Sequence, residues 1–154
     1  MTYTITHDFS FSASHRLDGL PEAHPCGRLH GHNYVARVQL RADDLDINGM
    51  VFDWRDLRRF TRYIEEFLDH RHLNGVIEGN PTAERLADYL LYTVCHAVDL
   101  PPGANLDMGV SETPNTWAWS GTLVIPSATS DKGSDDDGRN GPATEGPSEA
   151  SEEQ

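Results

Sequence analysis

The chain has 154 residues, 37% of them hydrophobic, and a formal net charge of −13. That length suits one domain with a real core but hardly two, and the acidic balance argues against nucleic acid as a partner, because phosphate binding needs basic surface. No apolar run approaches the roughly 20 residues of a membrane span, no basic stretch leads into an apolar run as in a signal peptide, and two cysteines, Cys26 and Cys95, make no disulfide framework, so a cytoplasmic, reducing compartment is expected.

Residues 3–15 alternate, with Tyr3, Ile5, His7, Phe9, Phe11, Ala13 and His15 on one face, which predicts a half-buried strand. Residues 17–29 carry Gly19, Pro21, Pro25 and Gly27 and read as a loop that holds His24 and Cys26. A second strand spans 30–42, with His30, His32, Tyr34, Ala36, Val38 and Leu40 on one face. Asp43 to Gly49 reads as a turn. Asp53 is suited to cap a helix whose apolar stripe is Leu57, Phe60, Ile64, Phe67 and Leu68. The stretch from Asp69 to Gly75 ends that helix, with two histidines, His70 and His72, in it.

A second helix is predicted to start at Asn80-Pro81-Thr82, with Asn80 as its cap and Pro81 at its first position. Its stripe is Leu86, Tyr89, Leu90, Val94, Ala97 and Val98, and Cys95 lies beside it as an inert packing residue. Pro101-Pro102-Gly103 stops the helix. Two strands, Asp107–Thr113 and Trp117–Ile125, close the body, and Glu112 sits near the end of the first. The order strand, strand, helix, helix, strand, strand predicts an α+β domain with helices on one face of a mostly antiparallel sheet. Residues 127–154 hold eight acids and two bases with no apolar pattern. Such a composition predicts a disordered acidic tail after a domain of residues 1–126.

The chemistry-bearing stretch is Cys26-Gly27-Arg28-Leu29-His30-Gly31-His32-Asn33-Tyr34. On a strand, residues i and i+2 share a face, so His30 and His32 project side by side with no bulk at Gly31 between them. If the first strand pairs with the second, His15 joins them. Three histidines leave one zinc coordination position open, the pattern of catalytic zinc. With Cys26 as a fourth ligand the site would instead be closed and structural. Spacing leaves both arrangements open.

Several segments recur together: Phe11-Ser12-Ala13-Ser14-His15, the Pro21-to-Tyr34 stretch, Gly49-Met50-Val51-Phe52-Asp53, Leu68-Asp69-His70-Arg71-His72-Leu73-Asn74, Asn80-Pro81-Thr82 and Glu112-Thr113. In this order they resemble the 6-pyruvoyltetrahydropterin synthase family, and in particular its bacterial 6-carboxy-5,6,7,8-tetrahydropterin synthase branch, over roughly residues 3–120.

The resemblance implies the tunnelling fold, a four-stranded antiparallel sheet with two helices on one face. Subunits join their sheets into a barrel as a homo-oligomer, a trimer or hexamer, with the active site between subunits. It implies Zn2+ held by His15, His30 and His32. Cys26 is then the catalytic thiol, His70 a proton relay with Asp69 orienting it, and Glu112 the carboxylate that anchors the pterin. The implied reaction converts 7,8-dihydroneopterin triphosphate to 6-carboxytetrahydropterin with release of acetaldehyde and triphosphate, an early step of queuosine-type 7-deazaguanine synthesis. A pyruvoyl product and a non-catalytic zinc protein are the two alternatives. Arg16, Arg28 and Arg71 are candidates to hold the triphosphate by position alone.

Overall fold

A computed structural model describes residues 1–127, so the predicted disordered tail, apart from Ser127, lies outside the described residues. The first two strands form as the alternation requires. β1 (Tyr3–His15) and β2 (His30–Ala42) pair antiparallel without a break, from Tyr3 opposite Ala42 to His15 opposite His30. A two-residue strand, β3 (Arg71–His72), adds to the outer edge of β1 in parallel. β4 (Asn105–Thr113) pairs antiparallel with the other edge of β2, Val38 opposite Met108 and Val35 opposite Ser111.

The last strand predicted from the sequence divides in two. β5 (Thr116–Trp119) and β6 (Leu123–Val124) both pair with β4, separated by Ser120-Gly121-Thr122. The sheet is therefore mixed, with six strands among the described residues, rather than four and all antiparallel. Its long members are the antiparallel ones that the sequence predicts.

Two helices cover one face. A 3-10 turn, Trp54–Leu57, leads into α1 (Arg58–Phe67), and Asp53 caps that turn by accepting from the Arg55 N–H. Phe60, Ile64 and Leu68 are buried, and Phe9 meets Phe60 edge to face at 5.0 Å. Phe67 departs from the predicted stripe: it is half exposed and stacks on Tyr63 instead. α2 (Ala83–Ala97) buries Leu86, Ala87, Leu90, Leu91 and Val94 against the sheet. Its cap is Thr82, which accepts from the Arg85 N–H, and not Asn80.

The core is built from the helix-facing residues of three strands, Phe9, Phe11 and Ala13 on β1, Tyr34 to Leu40 on β2, and Leu106 to Val110 on β4. Burial on β1 begins only at Phe9; Tyr3 and His7 stay exposed, His7 stacking on Trp54 in the turn ahead of α1. On the opposite face of the sheet the Trp119 ring lies over Gly109, where any Cβ would stand 3.0 Å from the indole. The glycine is what lets that ring close down on β4.

No helix among the described residues is long and apolar enough to cross a membrane. Cys95 is half-buried in α2, and burial pushes its thiol pKa up, as an inert packing cysteine requires.

Candidate metal centre and active site

The core face of the sheet turns polar at one end. β1 runs toward that end, β2 starts there and β4 finishes there. Alternation then places His15, His30, His32 and Glu112 on the same face as the core, beyond the reach of the helices. Register completes the arrangement. His15 stands opposite His30 and Ala13 opposite His32. One step past Val35 opposite Ser111, the same ladder sets Tyr34 across from Glu112.

The three imidazoles converge, each offering a ligand nitrogen within 4.8 Å of the others. The Nδ1 of His15 lies 2.8 Å from the Pro81 carbonyl, and that of His30 lies 2.7 Å from the Arg28 carbonyl. A carbonyl only accepts, so both rings donate an Nδ1 proton to it and turn their Nε2 atoms inward. Those two atoms are 3.0 Å apart. Burial, with His15 and His30 adding to it and Glu112 opposing, holds the His32 pKa below its usual value. Neutral imidazoles, with a second nitrogen held from behind, are the form in which histidine binds a metal. The donor set thus fits a zinc ion.

Glu112 approaches the same point, its Oε1 3.9 Å from the His15 Nε2. That oxygen is buried and has no hydrogen-bond partner among the described residues, and the same is true of the Tyr34 hydroxyl. Burial, and then the charge of Glu112, drives the Tyr34 pKa upward. A buried acceptor without a donor is costly, so this corner is prepared for a ligand that brings donors.

Cys26 lies on a separate element, a 3-10 turn from Pro25 to Gly27. Its N–H donates to the His24 Nδ1 and its carbonyl accepts from the Leu17 N–H. The main chain is thereby pinned and the half-buried thiol is left free. The cluster of converging ligand atoms comprises the three histidines without the Cys26 sulfur.

His70 and Asp69 form a pair of their own between α1 and β3. Asp69 Oδ1 accepts from the Ser12 N–H at 2.9 Å, and Oδ2 lies 2.9 Å from the His70 Nδ1. The Ser12 hydrogen bond and then His70 hold the Asp69 pKa below the usual carboxylate value. His70 has φ 56, the left-handed region that favours glycine, and its N–H donates to the Ser12 carbonyl. Its ring is largely exposed and borders a shallow depression shared with His32, Ser14 and Asn33. Among the described residues no hydrogen bond or ion pair joins Cys26 to His70.

Sequence reading missed the groups that hold these side chains. Asn74 exchanges two hydrogen bonds with the main chain of Arg16, and Asn80 does the same with Asp18. The two amides act as a substitute strand that extends β1 past His15. Of the arginines suggested for the triphosphate, Arg16 pairs with Asp18 and Arg71 donates to the Glu66 carbonyl, whereas Arg28 has no ion pair among the described residues.

A family model described as 6-pyruvoyl tetrahydropterin synthase matches residues 4–121. A putative 6-carboxy-5,6,7,8-tetrahydropterin synthase of Archaeoglobus fulgidus is 39% identical over 77 residues, covering 50% of this chain and 63% of that protein, less than two thirds of its length. A putative 6-pyruvoyl tetrahydrobiopterin synthase of Caenorhabditis elegans is 32% identical over 127 residues, covering 73% of this chain and 90% of that protein. The 6-carboxy-5,6,7,8-tetrahydropterin synthase of Rickettsia felis is 30% identical over 105 residues, covering 55% and 75%. Among solved structures, the Caenorhabditis elegans 6-pyruvoyl tetrahydropterin synthase superposes with a TM-score of 0.65 at 27% identity, covering 77% of this chain and 94% of that one. The Plasmodium vivax 6-pyruvoyl tetrahydropterin synthase shares the fold, with a TM-score of 0.63 at 20% identity, covering 81% and 99%.

Proposed function

The chain belongs to the 6-pyruvoyl tetrahydropterin synthase family, and we propose that within it the protein is a zinc-dependent 6-carboxy-5,6,7,8-tetrahydropterin synthase. Its substrate in this reading is 7,8-dihydroneopterin triphosphate. The observation that carries the proposal is the meeting of three imidazoles with the unpartnered Glu112 oxygen at one end of the core. The carboxy branch draws support from relatives bearing that name and from the Cys26-Gly27-Arg28-Leu29-His30-Gly31-His32 segment.

His15, His30 and His32 would hold the zinc ion, which when bound supplies a Lewis acid that acidifies the substrate's side-chain hydroxyls. Glu112 accepts hydrogen bonds from the amino-pyrimidine edge of the pterin, which a carboxylate can receive in pairs. Those donors satisfy the oxygen that the chain itself leaves bare. Cys26 takes and returns a proton near C6 of the pterin and its side chain, its turn held in place by Leu17 and His24. Asp69 holds the His70 Nδ1, so His70 presents Nε2 for proton exchange.

The side chain is then cleaved, and acetaldehyde and triphosphate leave. A homo-oligomer with the site between subunits belongs to the same proposal. The exposed Trp117 and Trp119 support it.

Incubation of zinc-loaded protein with 7,8-dihydroneopterin triphosphate tests this reading. Acetaldehyde and a 6-carboxypterin are the expected products. A 6-pyruvoyl product with triphosphate alone would move the protein to the other branch, and no turnover would leave a metal-binding protein without this activity.

A further inference from the structure

In an acidic protein, one stretch of surface runs against the trend. Arg55, Arg58, Arg59 and Arg62 fall within eight residues of sequence, and the only lysine of the chain is Lys132. All four arginines are exposed. They line an open groove of about 830 Å³ between the start of α1 and the end of α2, with Val98 and Asp99 on its far wall. Arg55 is engaged by Asp53. Arg58, Arg59 and Arg62 have no ion pair among the described residues, although Asp56 and Asp99 share the groove. The groove lies at the opposite end of α1 from Asp69 and His70, so the proposed catalytic groups do not account for it.

The described chain ends next to Gly103, a few residues past Asp99 on the groove wall. After α2, the segment Pro101-Pro102-Gly103 turns back, the Gly103 N–H donates to the Ile125 carbonyl, and the Ile125 N–H donates to the Ala104 carbonyl. The Ser127 hydroxyl lies against Gly103, 3.7 Å from where a Cβ would stand. Gly103 is four residues from Asp99, a span of at most about 14 Å. Beyond Ser127 the sequence turns acidic, with Asp131 and then Asp135, Asp136 and Asp137. Asp135 lies eight residues past Ser127, a reach of up to about 28 Å.

We propose that the acidic segment of the same chain, centred on Asp135-Asp136-Asp137, docks on Arg58, Arg59 and Arg62 at the mouth of this groove. Two features favour that occupant over a free anion or another protein. The first is tethering, which holds the aspartates at high effective concentration close to the arginines. The second is sign, because three arginines without ion pairs among the described residues lie together here, whereas Arg16, Arg37 and Arg41 elsewhere are already paired with aspartates. The contact is exposed, so salt weakens it. It also leaves the histidine end of the sheet open.

Phenylglyoxal modification of the full chain, read residue by residue by mass spectrometry, tests the proposal. At low salt Arg58, Arg59 and Arg62 should react about threefold or more slowly than in the D135N/D136N/D137N variant, as expected for three exposed pairs of ordinary strength. The difference should vanish in about 0.5 M sodium chloride, where screening is strong, and Arg28 should react alike in both. Equal rates at the three arginines in the two proteins would overturn the proposal. So would protection that appears only on adding inorganic tripolyphosphate, which would assign the groove to an external anion. In a mixture of unlabelled native chains and 15N-labelled tail-neutral chains, protection should stay with the unlabelled chains. Its spread to labelled chains would show that the segment comes from another copy and would refute docking within one chain.

Discussion

The Nε2 atoms of His15 and His30 face each other at 3.0 Å, while both Nδ1 atoms are held from behind by main-chain carbonyls. Two lone pairs at that separation repel unless a cation is shared between them. With His32 completing the set, the expected occupant is zinc with three nitrogen ligands. His32→Ala or His15→Ala should lower zinc affinity tenfold or more, by analogy with the ~10–100-fold cost of losing even an outer-shell partner. Cys26→Ala should leave the zinc content of dialysed protein unchanged while removing turnover. Loss of the metal from Cys26→Ala, measured by elemental analysis, would restore the closed four-ligand site.

The Asp69–His70 pair should act on rate and not on metal content. Asp69 fixes which nitrogen of His70 is bare, so Asp69→Asn removes the orientation while keeping the side-chain shape. His70→Gln should lower kcat by roughly 10²–10⁴, the usual worth of a positioned proton-transfer group, with zinc retained and KM little changed. A KM effect with kcat intact would place His70 in substrate binding instead.

Acid should destabilise the fold in part through two of its carboxylates, Asp8 and Asp69. Asp8 is held below the usual carboxylate pKa chiefly by its hydrogen bonds with Arg37, and Asp69 chiefly by the Ser12 N–H and then by His70. A depressed folded pKa contributes stability that is complete above the unfolded value, about 3.9 for Asp. That contribution fades as pH falls through the folded value. Thermal melts of the native chain should therefore drop as pH falls below about 5 and on through the folded values. The D8N/D69N variant should start lower at pH 7 and fall less steeply. Parallel curves for the two proteins would mean that neither carboxylate is linked to folding.

The Tyr34 hydroxyl is buried without a partner among the described residues, and its ring stacks on Phe11 at 5.2 Å. Because the unpaired hydroxyl contributes no hydrogen bond, Tyr34→Phe keeps the stacking and removes a desolvated polar atom. Stability should stay within about 1 kcal/mol of the native chain or rise. A loss of about 2 kcal/mol or more in denaturant unfolding would show that the hydroxyl is satisfied by a buried water.

The strands and the three-histidine cluster were legible in the sequence because both rest on period-two alternation, which survives whatever packs against it. Phe67 fits the helical period yet lies half exposed, since α1 ends there and its ring stacks along the helix on Tyr63 instead of on the core. The break at Ser120-Gly121-Thr122 was hidden because apolar residues resume on both sides of it. β3 is only two residues long, too short for any periodicity. Most of the missed features are main-chain hydrogen bonds made by side chains distant in sequence, such as Asn74 to Arg16. No local pattern encodes those.

Three consecutive residues divide the support of the site between them. Asn80 latches the main chain of Asp18, the Pro81 carbonyl holds the His15 Nδ1, and Thr82 caps α2. Asparagine is among the best caps, which is why Asn80 reads as the cap from sequence, but an Asn side chain bonded to Asp18 cannot also reach the helix. The two neighbouring substitutions should therefore behave differently. Thr82→Ala should cost about 0.5–2 kcal/mol in unfolding free energy, the usual value of a lost cap, without changing loop cleavage. Asn80→Ala should leave α2 intact by circular dichroism, speed proteolysis within residues 17–29, and weaken zinc binding through the loosened Pro81 carbonyl. If both variants lose helix equally, Asn80 shares the cap and the loop is held by other groups.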